Sequence, residues 1–562
     1  MADVIADPEL DPAATYAVDP ARVRALTARV IASGGEGELR TTTPMTGAPL
    51  AVLPVSSAGD VVHAVELARA AQGGWEATPV ADRAAVMLRL HDLLLDRQPQ
   101  LLDLVQLESG KARGHAFEEI GDCAIVARHY ARRGPSLLAD THHVGVLPLL
   151  SRAVEHHRPK GVVGIVSPWN YPLSLAVSDA IPALIAGNAV VLRPDPQGSL
   201  TALAAAELFA EAGLPDGLLQ VVLGPGDPTG QAVVDHTDYV SFTGSTATGR
   251  KVAQSAARRL VGVSLELGGK NTMYVAADAN LRRAVDGAVR ACFSGAGQLC
   301  ISAERLVVHA DVYDDFVPRF VERVSRMRLS TGLHWGADMG SLVSADQKAK
   351  VLSHVEDAVS KGARVLTGGR ARPDIGPLVV EPTVLEGVTS AMACRDEETF
   401  GPVVSLYRVH SDDEAVRLAN DTEYGLNASV WTRDVRRGRA IAARIHAGTV
   451  NINEGYAAAW GSVAAPMGGM KSSGLGRRHG REGLLKYTET QNITSQHLVG
   501  IAPRAGVTDQ GFAPSRAGAL SPGRQSCRLA PHGLMGRPPP AGWSAALPIA
   551  SVPTGTPAGI CT

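Results

Sequence analysis

Short runs of β-branched residues alternate with stretches of helical length from Gly161 onward. Parallel strands of one sheet need a crossover of a dozen or more residues, usually a helix, so this alternation restricts the chain to an α/β fold. The strand candidates are 162–166, 189–192, 218–223, 239–242, 264–267 and 272–275. The helix candidates between them are 172–186, 201–212, 228–236 and 247–259. This pattern predicts a doubly wound parallel sheet.

The flanking regions extend this prediction. A second α/β stretch follows from 280 to about 463, with strand candidates at 305–308, 403–407 and 428–431. Upstream, helix-period apolar spacing marks 61–71, 81–94 and 108–131. Residues 151–166 indicate two extended segments around a Pro-Lys-Gly turn.

The two ends of the chain differ from its middle. Residues 1–20 are predicted to form a loose arm, with no apolar core of the kind found in a signal peptide. Residues 501–562 hold ten prolines and one acidic residue, Asp509, which predicts a disordered tail. An altered reading frame at the end of the gene would produce the same composition.

Composition excludes several function classes. Lys plus Arg is 54 and Asp plus Glu is 56, so the chain lacks the basic excess of a nucleic-acid binder. No apolar run is long enough to span a bilayer. Six scattered cysteines form no Cys-x-x-Cys pair and no zinc-type cluster, which favours free thiols and no metal. We expect a soluble cytoplasmic protein that binds neither nucleic acid nor membrane.

Cys300 is the candidate nucleophile. It ends the segment Gly297-Gln298-Leu299-Cys300, where the helical pattern over 281–292 gives way to small residues. A thiol on such a turn is accessible and can attack a substrate if its thiolate is favoured. The alternative is a small buried hydrophobe, which is what most free cysteines are.

Two further polar residues lie at predicted strand ends. Asn170, in Pro168-Trp-Asn-Tyr-Pro172, offers an amide donor to a developing oxyanion, or else forms a local Asx-type turn. Glu266 has leucine on both sides and precedes Gly-Gly, so burial should favour its protonated form and suit it to general-base catalysis. The alternative for Glu266 is an ion pair with Lys270.

A Gly-rich loop, 244–251, joins a predicted strand to a predicted helix. Free N–H groups at a helix start can bind a phosphate. The loop matches neither Gly-x-Gly-x-x-Gly nor the P-loop pattern, which disfavours nucleotide hydrolysis. A pyrophosphate-facing loop and a plain tight turn both remain open.

Together these segments resemble the aldehyde dehydrogenase superfamily, over about residues 20–500. The matching motifs, in the family's order and spacing, are 168–172, 242–245, 265–271, 297–300, 398–402 and 466–476. The resemblance implies a Rossmann-type cofactor domain, an α/β catalytic domain and a small β oligomerisation arm. The implied boundaries are 21–149 with 159–267, then 268–465, with 150–158 and 466–500 as bridging segments. A homodimer or homotetramer is expected.

The resemblance also implies catalytic roles. Cys300 would attack the aldehyde, Asn170 and the Cys300 N–H would hold the oxyanion, and Glu266 would activate water against the thioester. Glu398 would bind the nicotinamide ribose, with Phe400 against the ring. The remaining cofactor-lining residues would be Trp169, Asn170, Gly244, Ser245 and Leu267.

The segment expected to approach the cofactor ribose departs from the family pattern. Arg193 stands where a lysine is usual, and it is followed closely by Asp195 and Pro196. Pro196 occupies a position where NAD-preferring members often carry a ribose-binding glutamate. Without that carboxylate a 2′-phosphate is not repelled, so NADP is the predicted cofactor, with NAD as the alternative.

The substrate is less clearly indicated. The segment 170–195 is most similar to actinobacterial members that oxidise succinate semialdehyde, which predicts that substrate. Ser178 and Ser294 stand where such members are expected to carry carboxylate-binding arginines. The alternatives are an uncharged aldehyde, an acylating reaction with coenzyme A, and a catalytically silent protein on the same fold.

Overall fold

The computed structural model describes residues 18–146 and 151–497. The strands are β1 (Glu38–Thr42), β2 (Pro49–Pro54), β3 (Thr141–Val144), β4 (Ser151–Pro159), β5 (Val162–Ser167), β6 (Ala189–Pro194), β7 (Leu219–Val221), β8 (Tyr239–Thr243), β9 (Gly262–Glu266), β10 (Asn271–Val275), β11 (Ala303–His309), β12 (Arg364–Thr367), β13 (Thr383–Glu386), β14 (Val403–Val409), β15 (Asn427–Trp431), β16 (Thr449–Ile452), β17 (Gly474–Leu475) and β18 (Thr488–Gln496). The predicted 501–562 tail and residues 1–17 of the predicted arm lie outside the described residues.

The helices are α1 (Pro20–Thr27), α2 (Ala58–Ala77), α3 (Val80–Asp96), α4 (Gln98–Ser109), α5 (Arg113–Leu137), α6 (Ser174–Ile185), α7 (Ser199–Glu211), α8 (Gln231–His236), α9 (Thr246–Arg258), α10 (Leu281–Phe293), α11 (Ala310–Ser325), α12 (Ala345–Ser360), α13 (Ala393–Asp396), α14 (Asp412–Asn420), α15 (Val435–Ala442), α16 (Ala457–Gly461) and α17 (Gly480–Leu485). The predicted helix over 108–131 is interrupted, because left-handed Gly110 ends α4 at φ +73°. None of the helices in the described ranges combines the length and hydrophobicity that a membrane crossing needs.

The first large sheet has six strands in the order β17-β9-β8-β5-β6-β7. Strands β5 to β9 run parallel, and β17 is antiparallel to β9 at the edge. From β5 the chain proceeds outward to β6 and β7, then returns to the other side of β5 as β8. The predicted doubly wound topology is confirmed, and its switch point lies between β5 and β8.

The second large sheet has seven strands in the order β12-β13-β14-β11-β10-β15-β16. Its pairs are parallel except for β12 with β13. The predicted strand 272–275 is β10, which belongs here and not to the first series. Only residues 267–270 separate β9 from β10, too few for a parallel crossover within one sheet. The predicted α/β fold class is confirmed.

Two smaller sheets lie outside these. β1 and β2 form an antiparallel pair. β18, β4 and β3 form a three-stranded sheet in that order. β4 and β18 come from the predicted bridging segments 150–158 and 466–500, whereas β3 lies in the segment 21–149, which is predicted to belong to the cofactor domain. Every residue of β18 after Thr488 is exposed. The part of 466–500 that contains β17 instead extends the first sheet.

Burial explains the sequence pattern of the central strands. Every residue of β5 and β6 is buried, and so is every residue of α6. A parallel strand covered on both faces reads as a continuous apolar run, which is the pattern seen at 162–166 and 189–192. This packing fixes the strand ends from which the site is built.

Candidate active site

The carboxyl ends of β5 and β8 lie side by side, and their loops enter one cleft. Ligands of doubly wound sheets bind at such a position. The cleft has a volume of about 240 Å³. Its lining includes these residues predicted from the sequence: Trp169, Asn170, Gly244, Ser245, Glu266, Leu267, Cys300, Glu398 and Phe400.

A left-handed turn presents Cys300. Gly295 and Gly297 have φ of +60° and +70°, and Ala296 adopts φ +57° between them. A Cβ on Gly297 would lie 2.1 Å from the carbonyl oxygen of Gly401, so glycine is required at that position. The Cys300 carbonyl accepts a hydrogen bond from Asn271 Nδ2 at 2.7 Å. The cysteine is thereby fixed by its backbone and stays partly accessible.

Asn170 is anchored beside this turn. Its Nδ2 donates to the carbonyl of Gln298 at 3.0 Å, two residues before the cysteine. The backbone carbonyl of Asn170 accepts a hydrogen bond from Lys111 Nζ at 2.6 Å, and Lys111 also forms an ion pair with Glu119 at 2.6 Å. The amide therefore bonds across to the cysteine loop and does not cap a local turn.

Glu266 ends β9 opposite Gly474 of β17. Its Oε1 is buried and has no hydrogen-bond partner among the described residues. Lys270, the alternative partner, instead pairs with Glu304 and donates to the Glu397 carbonyl at 2.8 Å. Burial raises the pKa of Glu266 to about 7, an effect that the nearby Arg478 partly offsets. The carboxyl group is therefore balanced between its two forms near neutral pH.

The surroundings of Cys300 favour its protonated thiol. Burial, followed by the carboxylates of Glu398 and Glu266, raises the pKa of Cys300 to about 12. Arg478 acts in the opposite direction. A base must take the thiol proton before attack, and Glu266 lines the same cleft as Cys300.

Three residues predicted to bind the cofactor, Glu398, Phe400 and Trp169, line the cleft. Glu398 Oε1 accepts from the Gly269 N–H at 2.7 Å, and burial raises the pKa of Glu398 to about 7. A Cβ on Gly268 would lie 2.5 Å from Glu398 Oε2, so the backbone passes this carboxyl group closely. The rings of Phe400 and Trp169 meet edge to face at 5.6 Å.

Arg193, Asp195 and Pro196 do not line this cleft. Arg193 is buried and donates from Nε and Nη2 to the Gly224 carbonyl, at 3.1 and 2.5 Å. Asp195 caps the short helical turn that Pro196 begins, accepting from the Gln197 N–H at 3.0 Å. Their contact with a cofactor stays a prediction.

A second, smaller cavity of about 60 Å³ also reaches the cysteine. It shares Asn170 and Cys300 with the cleft, and its other lining residues include Glu118, Asp122, Tyr171, Tyr456, Trp460 and Arg478. Such a cavity suits a small aldehyde. A larger surface cavity of about 630 Å³ lies around the ends of β13 and β14 and contains none of the predicted site residues.

The two serines at the expected arginine positions are engaged elsewhere. Ser178 Oγ donates to Asp122 Oδ2 at 2.7 Å. Ser294 Oγ donates to the Arg290 carbonyl at 2.8 Å and accepts from the Tyr456 hydroxyl at 2.8 Å. Neither serine lines the small cavity.

Sequence reasoning missed Glu118, Tyr456 and Arg478, which line this cavity. Glu118 lies on an amphipathic helix, where a carboxylate is ordinarily on the solvated face. Arg478 follows another arginine, and the sequence does not distinguish which of the two side chains is buried.

Comparison with known proteins places this geometry in context. Residues 31–493 match the model of the Aldehyde dehydrogenase family. A Mycolicibacterium smegmatis protein provisionally named succinate-semialdehyde dehydrogenase NADP(+) is 55% identical over 463 residues, which are 82% of this chain and 90% of that protein.

Two solved structures are also similar. Succinate-semialdehyde dehydrogenase from Burkholderia pseudomallei has a TM-score of 0.79 at 35% identity, covering 82% of this chain and 95% of that one. PnpE in complex with nicotinamide adenine dinucleotide has a TM-score of 0.80 at 34% identity, covering 83% and 96%; PnpE comes from Pseudomonas sp. WBC-3. Because the family model covers residues 31–493 and a relative at 55% identity covers 82% of the chain, the chain belongs to the aldehyde dehydrogenase family.

Proposed function

We propose that the protein oxidises an aldehyde to a carboxylic acid with NADP or NAD. The observation that supports this most is that Cys300, Asn170 and Glu266, far apart in sequence, line one cleft together. A nucleophile, an amide donor and a carboxyl group with a pKa of about 7 supply the three groups that this reaction needs.

Each of these residues has a defined task in the proposal. Cys300 passes its thiol proton to a base as Sγ bonds to the carbonyl carbon and forms a thiohemiacetal. Loss of a hydride from that carbon then converts the thiohemiacetal to a thioester. Asn170 Nδ2 and the Cys300 N–H donate to the oxygen that becomes negative. Glu266 takes a proton from water, whose oxygen then attacks the thioester, and the thiol is released with the acid product.

The cleft residues fit a dinucleotide. A Cβ on Gly268 would lie 2.5 Å from Glu398 Oε2 and one on Gly244 would lie 2.6 Å from the ring of Phe242, so glycine is needed for the backbone to pass this close to the cleft side chains. Glu398, Phe400 and Trp169 would hold the nicotinamide end, and the start of α9 would meet a phosphate. The bound nicotinamide supplies the hydride acceptor.

We propose succinate semialdehyde as the substrate and NADP as the preferred cofactor. The names of the mycobacterial and Burkholderia relatives support the substrate, and the name of the mycobacterial protein supports the cofactor. The small volume of the second cavity, about 60 Å³, suits a short aldehyde.

The test is a steady-state assay of the purified protein. NADPH or NADH formation would be measured with succinate semialdehyde, butanal, benzaldehyde and an aminoaldehyde, each with NADP and NAD. We expect the highest kcat/KM with succinate semialdehyde and NADP, and no turnover by Cys300→Ala. Turnover by Cys300→Ala equal to that of the unaltered protein would refute the proposed mechanism.

The same assay distinguishes hydrolysis from acyl transfer. Glu266 is positioned in the cleft to activate water, so we expect the rate and the acid product to be unchanged by added coenzyme A. Formation of an acyl-coenzyme A would show that the thioester is resolved differently.

We also propose a homodimer or homotetramer in the cytoplasm. The exposed strand β18 supports self-association, since an unpaired edge can pair with another subunit. The free cysteines among the described residues, which include Cys123 and Cys292, fit a reducing compartment.

A further inference from the structure

Arg478 is a buried cation with unused hydrogen-bonding capacity. Its side chain lines the small cavity together with Cys300, and the residue is 8% exposed. Its Nε and Nη2 are buried and have no hydrogen-bond partner among the described residues. The nearest carboxylate oxygen, Asp179 Oδ1, lies 3.4 Å from Nε and forms an ion pair without a hydrogen bond.

The two free nitrogens are suitably arranged for a carboxylate. Nε–H and an Nη2–H lie along one edge of the planar guanidinium, where they can donate two parallel hydrogen bonds to two oxygens. Burying such donors without acceptors is costly. Arginine cannot relieve this cost by losing its proton, whereas a buried carboxyl group can become neutral.

Other cations near the cavity are already engaged. Arg290 pairs with Glu118 at 3.1 Å, and Lys111 pairs with Glu119 and the Asn170 carbonyl. Arg478 is the only lysine or arginine among the described residues that line the cavity. The carboxylate of Glu118 is matched by Arg290 and by the Tyr456 hydroxyl, which lies 2.9 Å from its Oε1.

We propose that Arg478 binds the carboxylate of an ω-carboxy aldehyde, in place of the arginines absent at Ser178 and Ser294. This inference rests on the proposed function and specifies its substrate class. The carboxylate would accept from Nε and Nη2 while the carbonyl carbon meets Cys300 Sγ. Specificity for an anionic aldehyde would then come from Arg478, which lies in the loop between β17 and α17.

The discriminating quantity is the ratio of kcat/KM for succinate semialdehyde to kcat/KM for butanal. Arg478 also influences Glu266 and Cys300 electrostatically, and that influence affects both substrates, so the ratio isolates carboxylate binding. Arg478→Gln is expected to lower the ratio by about 10- to 100-fold, the range for hydrogen bonds to charged groups. Arg478→Lys should give an intermediate ratio, because lysine keeps the positive charge but cannot donate two parallel hydrogen bonds to one carboxylate.

Arg477 provides the matched control. It is the adjacent arginine, its Nη1 donates to the carbonyls of Gly469 and Gly476, and it does not line the cavity. Arg477→Gln should leave the ratio within about twofold of the unaltered protein, because the influence of Arg477 on Glu266 acts on both substrates alike. An unchanged ratio in folded Arg478→Gln would overturn the inference.

A binding measurement keeps the test independent of turnover and of the folding of Arg478→Gln. Calorimetric titration of Cys300→Ala with succinate should show binding, and titration with neutral succinamide should not. Equal binding of both ligands would overturn the inference. If the assay found no aldehyde oxidation at all, the proposed function would fail, while succinate binding would still report on Arg478.

Selection of a positively charged aldehyde would be the opposite result to the one expected. Asp122 Oδ1 is also buried without a partner, although Ser174 and Ser178 donate to its Oδ2. A preference for a short aminoaldehyde over succinate semialdehyde, removed by Asp122→Asn, would show that the cavity selects a positive charge and would refute the assignment to Arg478.

Discussion

Two protonation equilibria at single residues govern the proposed chemistry. Cys300 must lose a proton that burial and two carboxylates make hard to remove, and Glu266 must be ionised to accept one. Arg478 favours the charged form of both groups. Of these two groups Glu266 has the pKa near neutrality, so the pH dependence is expected from Glu266; Glu398 has a similar pKa but takes no proton in the proposed steps.

We predict that kcat rises with pH through about 7, where Glu266 ionises. The sign follows from the base being active only as a carboxylate, so activity is lost as pH falls through its pKa. Glu266→Gln should lower kcat by about 10²- to 10⁴-fold, the range for general-base catalysis. The measurement is a pH profile of kcat for both proteins, and an unchanged profile in the variant would assign the ionisation to another group.

Cofactor preference also has a residue-scale test. Pro196→Glu would introduce a carboxylate where the sequence predicts an approach to the ribose. It should lower kcat/KM for NADP more than for NAD, by about tenfold or more, because a carboxylate repels the 2′-phosphate. Pro196→Gln is the matched control, since it replaces the proline with a side chain similar in size to glutamate and without charge. Equal losses with both cofactors would contradict the predicted position of the ribose.

At the scale of elements, the turn before Cys300 determines where the nucleophile lies. Gly295 and Gly297 share left-handed backbone angles, yet their surroundings differ. A Cβ on Gly297 would collide with the Gly401 backbone, whereas the nearest atom to a Cβ on Gly295 is the Tyr171 hydroxyl at 3.7 Å. The two glycines therefore form a matched pair.

Gly297→Ala is expected to be more damaging than Gly295→Ala. Both substitutions incur the cost of a left-handed alanine, and the clash adds about 1–3 kcal/mol at Gly297, the scale of overpacking. Thermal unfolding and kcat should both show the difference, with a lower Tm and slower turnover for Gly297→Ala. Equal effects would mean that the Gly401 loop relaxes freely.

The sequence predicted individual strands more completely than it predicted which strands pair and which side chains meet. Alternation predicted β5 to β9 because buried parallel strands carry their own apolar signature. It attached β10 to the wrong sheet, although the short 267–270 link excluded a crossover. Motif resemblance predicted which residues meet in the cleft, but spacing alone does not reveal that Ser178 and Ser294 are engaged elsewhere or that Arg478 is buried with free donors, since these depend on tertiary contacts.

At the scale of the whole molecule, the two large sheets contribute different parts of the chemistry. The first supplies strand ends that carry Asn170 and Glu266, and the loops entering the second carry Cys300 and Glu398. No described residue of the three-stranded sheet lines the cleft or the small cavity, and Ile493 of its edge strand β18 is 46% exposed. An unpaired edge strand is a surface to which another subunit can add a strand.

We predict that Ile493→Lys weakens self-association. The unaltered protein should elute as a dimer or tetramer in size-exclusion chromatography with light scattering, and the variant should shift toward smaller species, because a charge there opposes strand pairing between subunits. Thr490→Lys, at another exposed position of the same strand, tests whether any new charge has this effect. A monomeric unaltered protein would contradict the predicted assembly.

The two cavities at the cysteine also bear on how such a protein can diverge. Of their described lining residues, only Asn170 and Cys300 belong to both. Substitutions elsewhere in the small cavity can therefore alter which aldehyde is accepted without altering the dinucleotide cleft, and the reverse also holds. The substrate range can thus change through residues that line only the small cavity, while Asn170 and Cys300, which line both cavities, are retained.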